Sequence, residues 1–453
     1  MKLMDMIRIK NIKNVNGVNK WLKVGVILFA FNCSLFTPVA AQTIIDPEEE
    51  DDEEEVDSLF VPIEDEISVI DKQGNTELIE FPEAMTYDLD SLMSLYMSKT
   101  YLSMPGDCQM LDQNPEFTPE EYIDRLRRMP TVMEMGYNEI VQRFIDRYMG
   151  RLRHSVSYML GATNFYVPIF EEALEAYQVP LELKYLPVIE SALNPRAVSR
   201  VGATGLWQFM LGTGKQYGLE VNSLVDERRD PLRASYAAAR YLRDLYRIFG
   251  DWNLVIAAYN CGPGNINKAI HRSGGEKDYW RLYPYLPAET RGYVPAFIAA
   301  NYAMTYYCEH GICPMSTKLP LQTDTVVVNR DVHLEQIASV LDLDIEMLRS
   351  LNPQYRRDIV PGSNKPYAIR LPMADTSRFI DMQDSIYSYR ATELLTKRAV
   401  VDVNDDVPTF RKKVVKRGRR ASARKGRNAA RRGKAASKSR RGKASSKKRR
   451  RRR

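Results

Sequence analysis

Between residues 120 and 310 the apolar residues recur at helical spacing, and this pattern limits the fold more than any other feature of the chain. In DPLRASYAAARYLRDLYRIFG (230–250), Ala238, Leu242, Leu245 and Phe249 share one face. Asp230 suits the N-cap, Pro231 the first helical position and Gly250 the end. NEIVQRFIDRYMGRLRHSVSYML (138–160) places Ile140, Val141, Phe144, Ile145 and Tyr148 in a second stripe. Stripes of this kind are faces for core packing. With 44% hydrophobic residues in 453, the chain has enough apolar surface for a mainly helical domain and room for two or three domains.

The period changes around 325–372. TVVV and YAIRLP read as strands, with two short helices, HLEQIASVLDL and DIEMLRSLNP, between them. The result is a small β–α–α–β unit. The two ends of the chain are of another kind. Basic residues precede the apolar run VGVILFAFNCSLF (24–36), and TPVAAQ follows with small residues that suit cleavage before Gln42. That run is shorter than the roughly 20 residues of a membrane span, so 1–41 reads as an export signal, with an uncleaved anchor as the alternative. An acidic run, Glu48 to Glu55, reads as a solvated linker.

The net charge of +7 describes neither half of the molecule. Residues 411–453 hold 24 Lys or Arg and no acid, which leaves 41 basic against 58 acidic residues before them. Such a tail lacks the apolar content to offset chain entropy and is expected to be disordered. Attraction to anionic envelope polymers or lipid headgroups suits its charge. Nucleic acid is not an expected partner, because the tail has no aromatic residue to stack on bases and the chain reads as exported. Cys108, Cys261, Cys308 and Cys313 form an even set beyond the signal, and Cys308 and Cys313 are near enough in sequence for a local disulfide, with buried thiols as the alternative.

Several chemistries fail on spacing. No HExxH or CxxC occurs and the four histidines are scattered, so no metal site is expected. LGTGKQ lacks the Ser or Thr of a phosphate loop, GPGNIN lacks the third glycine of a dinucleotide loop, and no cofactor is expected. What survives is PVIESALNPRAVSRVGATGLWQF (187–209). Glu190 follows Leu186, Pro187, Val188 and Ile189. A carboxyl next to a buried apolar run loses hydration, its pKa rises, and it keeps a proton that it can donate to a leaving oxygen. Gly202 and Gly205 allow close approach of a ligand. Ser199, Gln208 and Asn260 offer hydroxyl and amide groups to sugars, and Trp207, Phe209 and Tyr259 offer flat faces, with core packing as the competing role for Phe209 and Met210.

ESALNPRAVSRVGATGLWQF together with AAYNCGPGNINKAI (257–270) closely resembles the signature of the family 1 lytic transglycosylases, in their membrane-bound murein transglycosylase D branch. DERRDP (226–231), YLP with ET (285–290) and YVP (293–295) extend the likeness over roughly 135–310. The resemblance implies a goose-lysozyme-like helical domain that cleaves the β-1,4 bond between N-acetylmuramic acid and N-acetylglucosamine in peptidoglycan, its glycan partner. It implies Glu190 as the single catalytic acid and base, closing a 1,6-anhydro ring without water. It implies Tyr259 as the tyrosine that touches this acid, Ser199, Gln208 and Met210 in the substrate cleft, and Asn260 and Tyr293 within family motifs. Cys261 departs from the alanine common there. Residues 325–372 resemble a LysM domain through LNP (351–353), PG (361–362) and LP (371–372), although the usual GDTL opening is absent.

The expected organisation is a signal peptide (1–41), an acidic linker and N-terminal region (42–100), a catalytic domain with leading helices (101–318), a LysM-like domain (323–373), a linker (374–410) and the basic tail (411–453). The expected location is the periplasm, or the periphery of the outer membrane, of a Gram-negative bacterium. A noncatalytic peptidoglycan-binding scaffold and a water-using muramidase are the competing functions.

Overall fold

The computed structural model describes residues 66–70, 76–87, 92, 97–101, 110–317, 319–320, 322–396 and 399–401. All of these belong to the unit Pro62–Arg453. The export signal, the acidic run, Cys108 and the basic tail lie outside the described residues. The chain is mostly helical where the spacing predicts it. No described helix is long and apolar enough to cross a membrane.

Two strands, β1 (Glu66–Ile70) and β2 (Thr76–Glu80), form an antiparallel hairpin, with Glu66 opposite Glu80 and Ile70 opposite Thr76. Helices α1 (Pro119–Arg128), α2 (Glu139–Met149) and α3 (Arg153–Ala176) follow. The stretch that reads as one helix from 138 to 160 is broken between Met149 and Arg153. At Gly150 a Cβ would lie 2.8 Å from the Asp146 carbonyl oxygen, so the chain turns where no side chain interferes. Three more helices carry the site: α4 (Leu186–Ser191), α5 (Leu211–Gln216) and α6 (Pro231–Phe249). Asp230 caps α6 by accepting from the Leu232 and Arg233 amides at 2.9 and 3.0 Å, and Ala238, Leu242, Leu245 and Phe249 face inward as the stripe requires. Helices α7 (Trp252–Cys261), α8 (Pro263–Arg272), the short α9 (Tyr279–Leu282) and α10 (Ala288–Tyr306) complete the domain.

Helix α10 is the central element. Fourteen of its nineteen residues are buried. It packs on α2, α4 and α7 and receives β2 from the N-terminal hairpin. The approach of β2 depends on Gly292: a Cβ there would lie 2.6 Å from the Glu80 carbonyl oxygen and 3.2 Å from the Phe144 ring. Among the described residues no disulfide joins Cys308 to Cys313, which removes the local bridge the sequence spacing permits.

The C-terminal unit has its own core. Strands β3 (Thr323–Val328) and β4 (Tyr367–Pro372) pair antiparallel, with Thr323 opposite Pro372 and Val328 opposite Tyr367, and helices Leu334–Leu341 and Ile345–Leu351 lie between them in sequence, as expected. The segment expected as a linker from 374 onward instead forms helices Met373–Asp381 and Gln383–Ser388. The reason is in the side chains: Phe379, Ile386 and Tyr387 bury themselves in this second core. Leu224 and Val225, from the loop before α6, are buried in it as well.

Gly292→Ala tests the packing of α10. Helix propensity alone favours alanine by roughly 1 kcal/mol. Overpacking against a backbone oxygen costs about 1–3 kcal/mol and outweighs it. The expected result is a lowered thermal midpoint; an unchanged or raised midpoint would show that β2 does not sit this close.

Candidate active site

Glu190 stands at the end of α4, one residue before its last position. Leu186, Pro187, Val188 and Ile189 are all buried, so the short helix is anchored and its final turn is fixed in direction. Ala192 and Leu193 then take left-handed backbone, with φ of 48° and 60°. For residues with a Cβ this conformation costs on the order of 1–3 kcal/mol each and persists only where the surroundings enforce it. Gln208, at the far end of the following loop, is left-handed too, with φ of 46°. Backbone strain therefore brackets the segment between Glu190 and Met210.

That segment is a tight knot of hydrogen bonds. The Thr204 and Phe209 amides each donate to the other's carbonyl, at 3.1 and 3.2 Å, and the Gly205 amide donates to the Ala197 carbonyl at 2.9 Å. The Trp207 indole donates to Ser235 Oγ on α6 at 2.9 Å, and Ser191 Oγ donates to the Leu206 carbonyl at 3.0 Å. Beneath the loop lies Arg228. Its guanidinium donates twice to Asp226, through Nε and Nη2 at 2.9 Å, and through Nη1 to the Gly202 and Phe209 carbonyls at 3.2 Å. A Cβ on Gly205 would lie 1.8 Å from the Arg228 carbonyl oxygen, so only glycine allows the loop to settle on this support.

The Glu190 carboxyl sits between two tyrosines. Tyr293 on α10 donates its hydroxyl to Glu190 Oε1. Tyr259 on α7 donates to the Trp207 carbonyl at 2.8 Å, and its phenol pKa is raised first by burial and then by the field of Glu190. Glu190 keeps part of its surface open to solvent, yet protein crowds its carboxyl. Burial pushes its pKa up to about 8, the Tyr293 hydrogen bond pulls the other way, and the negative charge of Glu289 adds a smaller push upward. Burial wins, so the group keeps its proton near neutral pH.

The structure sorts the residues singled out from the sequence. Glu190, Tyr259 and Tyr293 come together. The hydrogen bond to Glu190 comes from Tyr293, while the Tyr259 hydroxyl, within the field of Glu190, is committed to the loop backbone. Ser199 Oγ accepts from the Ala203 amide at 3.0 Å and closes the turn at the rim. Gln208 donates to the Gly205 and Ala197 carbonyls at 2.8 and 3.3 Å, while its side-chain oxygen makes no hydrogen bond among the described residues. Met210 is 45% exposed at the edge of the loop. Asn260 Oδ1 accepts from Thr290 Oγ1 at 2.8 Å and ties α7 to α10. Trp207 and Phe209 do not offer faces to a ligand: they are 0% and 3% exposed and pack in the core. Three contributors were not legible in the sequence. Arg228 lies in a motif but gives no sign of supporting the loop, Glu289 acts from α10, and Tyr87, from the N-terminal region, feels the field of Glu190 across about a hundred residues of chain.

The raised pKa has a consequence for stability. In the unfolded chain the carboxyl ionises around its ordinary value near 4.5, and in the fold only around 8. Between these values the unfolded state releases a proton that the folded state keeps, so rising pH destabilises the fold by up to ~1.4 kcal/mol per unit. Allowing for the solvent-exposed part of the residue, about 1–2 kcal/mol is expected in full above pH 8. Glu190→Gln removes this term. The variant should match the parent in thermal midpoint near pH 4.5 and exceed it at pH 8; a constant difference across that window would mean the carboxyl is well hydrated.

Residues 168–281 match the family model "Transglycosylase SLT domain", and residues 322–388 match "Lytic transglycosylase MltD, LysM-like domain". Membrane-bound lytic murein transglycosylase D of Escherichia coli (strain K12) is 32% identical over 195 residues, which is 42% of this chain and 43% of that protein. The soluble lytic murein transglycosylase of the same strain is 35% identical over 124 residues, 26% of this chain and 19% of its own length. The crystal structure of the 70 kDa soluble lytic transglycosylase from Escherichia coli superposes with a TM-score of 0.28 at 32% identity, covering 31% of this chain and 24% of that one. The chain thus spans less than half the length of these relatives. Over residues 168–281 and 322–388 the chain is thus similar to the MltD-type lytic transglycosylases.

Proposed function

We propose that this chain is a peptidoglycan lytic transglycosylase that cleaves the β-1,4 bond between N-acetylmuramic acid and N-acetylglucosamine with Glu190 as its single acid and base. The observation that supports the reading is the Glu190 carboxyl, pushed up to about 8 by burial beside Tyr293. A neutral acid donates its proton to the bridging oxygen as the C1–O bond breaks. The carboxylate that remains then takes the proton of the muramoyl C6 hydroxyl, whose oxygen bonds to C1 and closes the 1,6-anhydro ring. Glu190 ends protonated, and no water is consumed. The Tyr293 hydroxyl supports the middle of this cycle, since it donates to the carboxylate while the negative charge exists.

Ser199, Gln208 and Met210 line the approach in this reading, with the Gln208 side-chain oxygen as acceptor for an N-acetyl N–H. Tyr259 and Asn260 act by holding the walls. Residues 101–318 make up the catalytic domain with its leading helices, and the LysM-like unit follows from 323. The chain is exported through 1–41 and works in the periplasm or at the outer membrane, with the basic tail attracted to anionic envelope polymers or headgroups.

Glu190→Gln keeps the site's shape and removes the transferable proton. Muropeptide release from purified sacculi should fall by a factor of roughly 10³ or more, on the scale of losing the essential acid. Mass spectrometry of parent products should give anhydro ends lighter by one water than muramidase products. Substantial residual turnover would remove Glu190 from the role, reducing ends would favour the hydrolytic enzyme, and no release by the parent would favour a binding scaffold. Deleting 411–453 should lower retention on isolated envelopes at low salt and have little effect at high salt; equal retention at both would exclude the electrostatic role.

A further inference from the structure

A cavity of about 750 Å³ opens between the catalytic domain and the LysM-like unit. Arg196, Ser223 and Arg229 form one wall, and the segment from Asn352 to Asp358, with Arg356 and Arg357, forms the other. Its electrostatics are unbalanced. The acids on the LysM-like side, Glu346 and Asp358, are both bound by Arg349, which donates to Asp358 through Nε and Nη2 at 2.9 and 2.6 Å. On the catalytic side the nearby acid is Asp226, and Arg228 occupies both of its oxygens. Arg229 is left with no side-chain hydrogen bond among the described residues, and its Nε is buried without a partner. Burial pulls the Arg229 pKa down, Asp226 opposes this, and the charges of Arg356, Arg228 and Arg196 add to the depression. Among the described residues the Arg356 side chain is held only through Nη1, to the Asn222 carbonyl at 3.2 Å.

Like charges collected in a partly desolvated cavity are costly unless an anion joins them. We propose that this cavity binds the carboxylates of the peptide stems carried by the glycan substrate, an inference that rests on the function proposed above. Arginine forks match carboxylates in pairs, and forks reach the cavity from both walls. The cavity lies in the 300–1,000 Å³ range of ligand sites, much larger than one inorganic anion needs, and Pro353, Tyr355 and Val401 supply apolar lining for the body of a peptide. Its floor also continues into the catalytic loop, because the Arg229 backbone nitrogen lies against Gly205.

The test uses the full chain and a sugar-free probe: the stem tetrapeptide L-Ala-γ-D-Glu-diaminopimelyl-D-Ala, followed by calorimetry at moderate salt. Binding without sugar requires no cleavage, so its failure is distinct from failure of the lytic reading, which product analysis on sacculi decides separately. The expected result is measurable binding, weakened roughly tenfold or more by Arg356→Gln, by Arg196→Gln and by amidation of the peptide carboxylates. Thermal midpoints establish that the variants are folded, and the two arginines on opposite walls guard against loss of one variant to misfolding. Undetectable peptide binding, binding unchanged in both variants, or inorganic phosphate bound as tightly as the peptide would each overturn the proposal.

Discussion

The guanidinium of Arg228 is the interaction on which the site depends. It is buried, it neutralises Asp226 through two parallel hydrogen bonds, and its remaining nitrogen supports the loop after Glu190 at Gly202 and Phe209. A buried ion pair adds little net stability over apolar packing. Its value here lies in direction. Two loop carbonyls that water would otherwise solvate are fixed at one height above the core, which holds a strained segment against Glu190. The neighbouring backbone carries the same loop to the second domain, since the Asp226 amide donates to the Gln354 carbonyl at 2.9 Å.

Two opposing effects act on Glu190. Burial removes hydration and favours the neutral acid; the Tyr293 hydroxyl favours the carboxylate. Burial is the larger, and the result is a pKa of about 8. The acid–base cycle proposed for Glu190 would need this balance. With burial alone the group would hold its proton but the carboxylate formed in mid-reaction would be stranded. With the hydrogen bond alone the group would be ionised before a substrate arrived. The tyrosine comes from a helix buried along most of its length, so the balance is set by rigid structure.

Much of this was legible in the sequence. The cap, first-turn proline and apolar stripe of α6 are local features, and they appear as read. The raised pKa of Glu190 is readable from Leu186–Ile189 before it, since a carboxyl beside an apolar run loses hydration where that run is buried, and here it is. What was not legible was long-range. Which of Tyr259 and Tyr293 reaches the carboxyl depends on the relative rotation of α7 and α10, about which spacing says nothing. Trp207 and Phe209 look like sugar platforms in a glycine-bearing loop, but the loop folds inward and they become its anchors. Residues 374–388 read as a linker because polar and charged residues together outnumber the apolar ones there, and only Phe379, Ile386 and Tyr387 seal the core.

Leu224 and Val225 are encoded among the residues of the first domain but are buried in the core of the second. The boundary of folding therefore does not follow the boundary of sequence. Cutting the polypeptide after residue 318 would strip the cover from both side chains and leave a greasy scar a few residues from Asp226 and Arg228. An isolated first domain would pay for its smaller size in stickiness, and the loop after Glu190 would rest on a footing that had lost its outer wall.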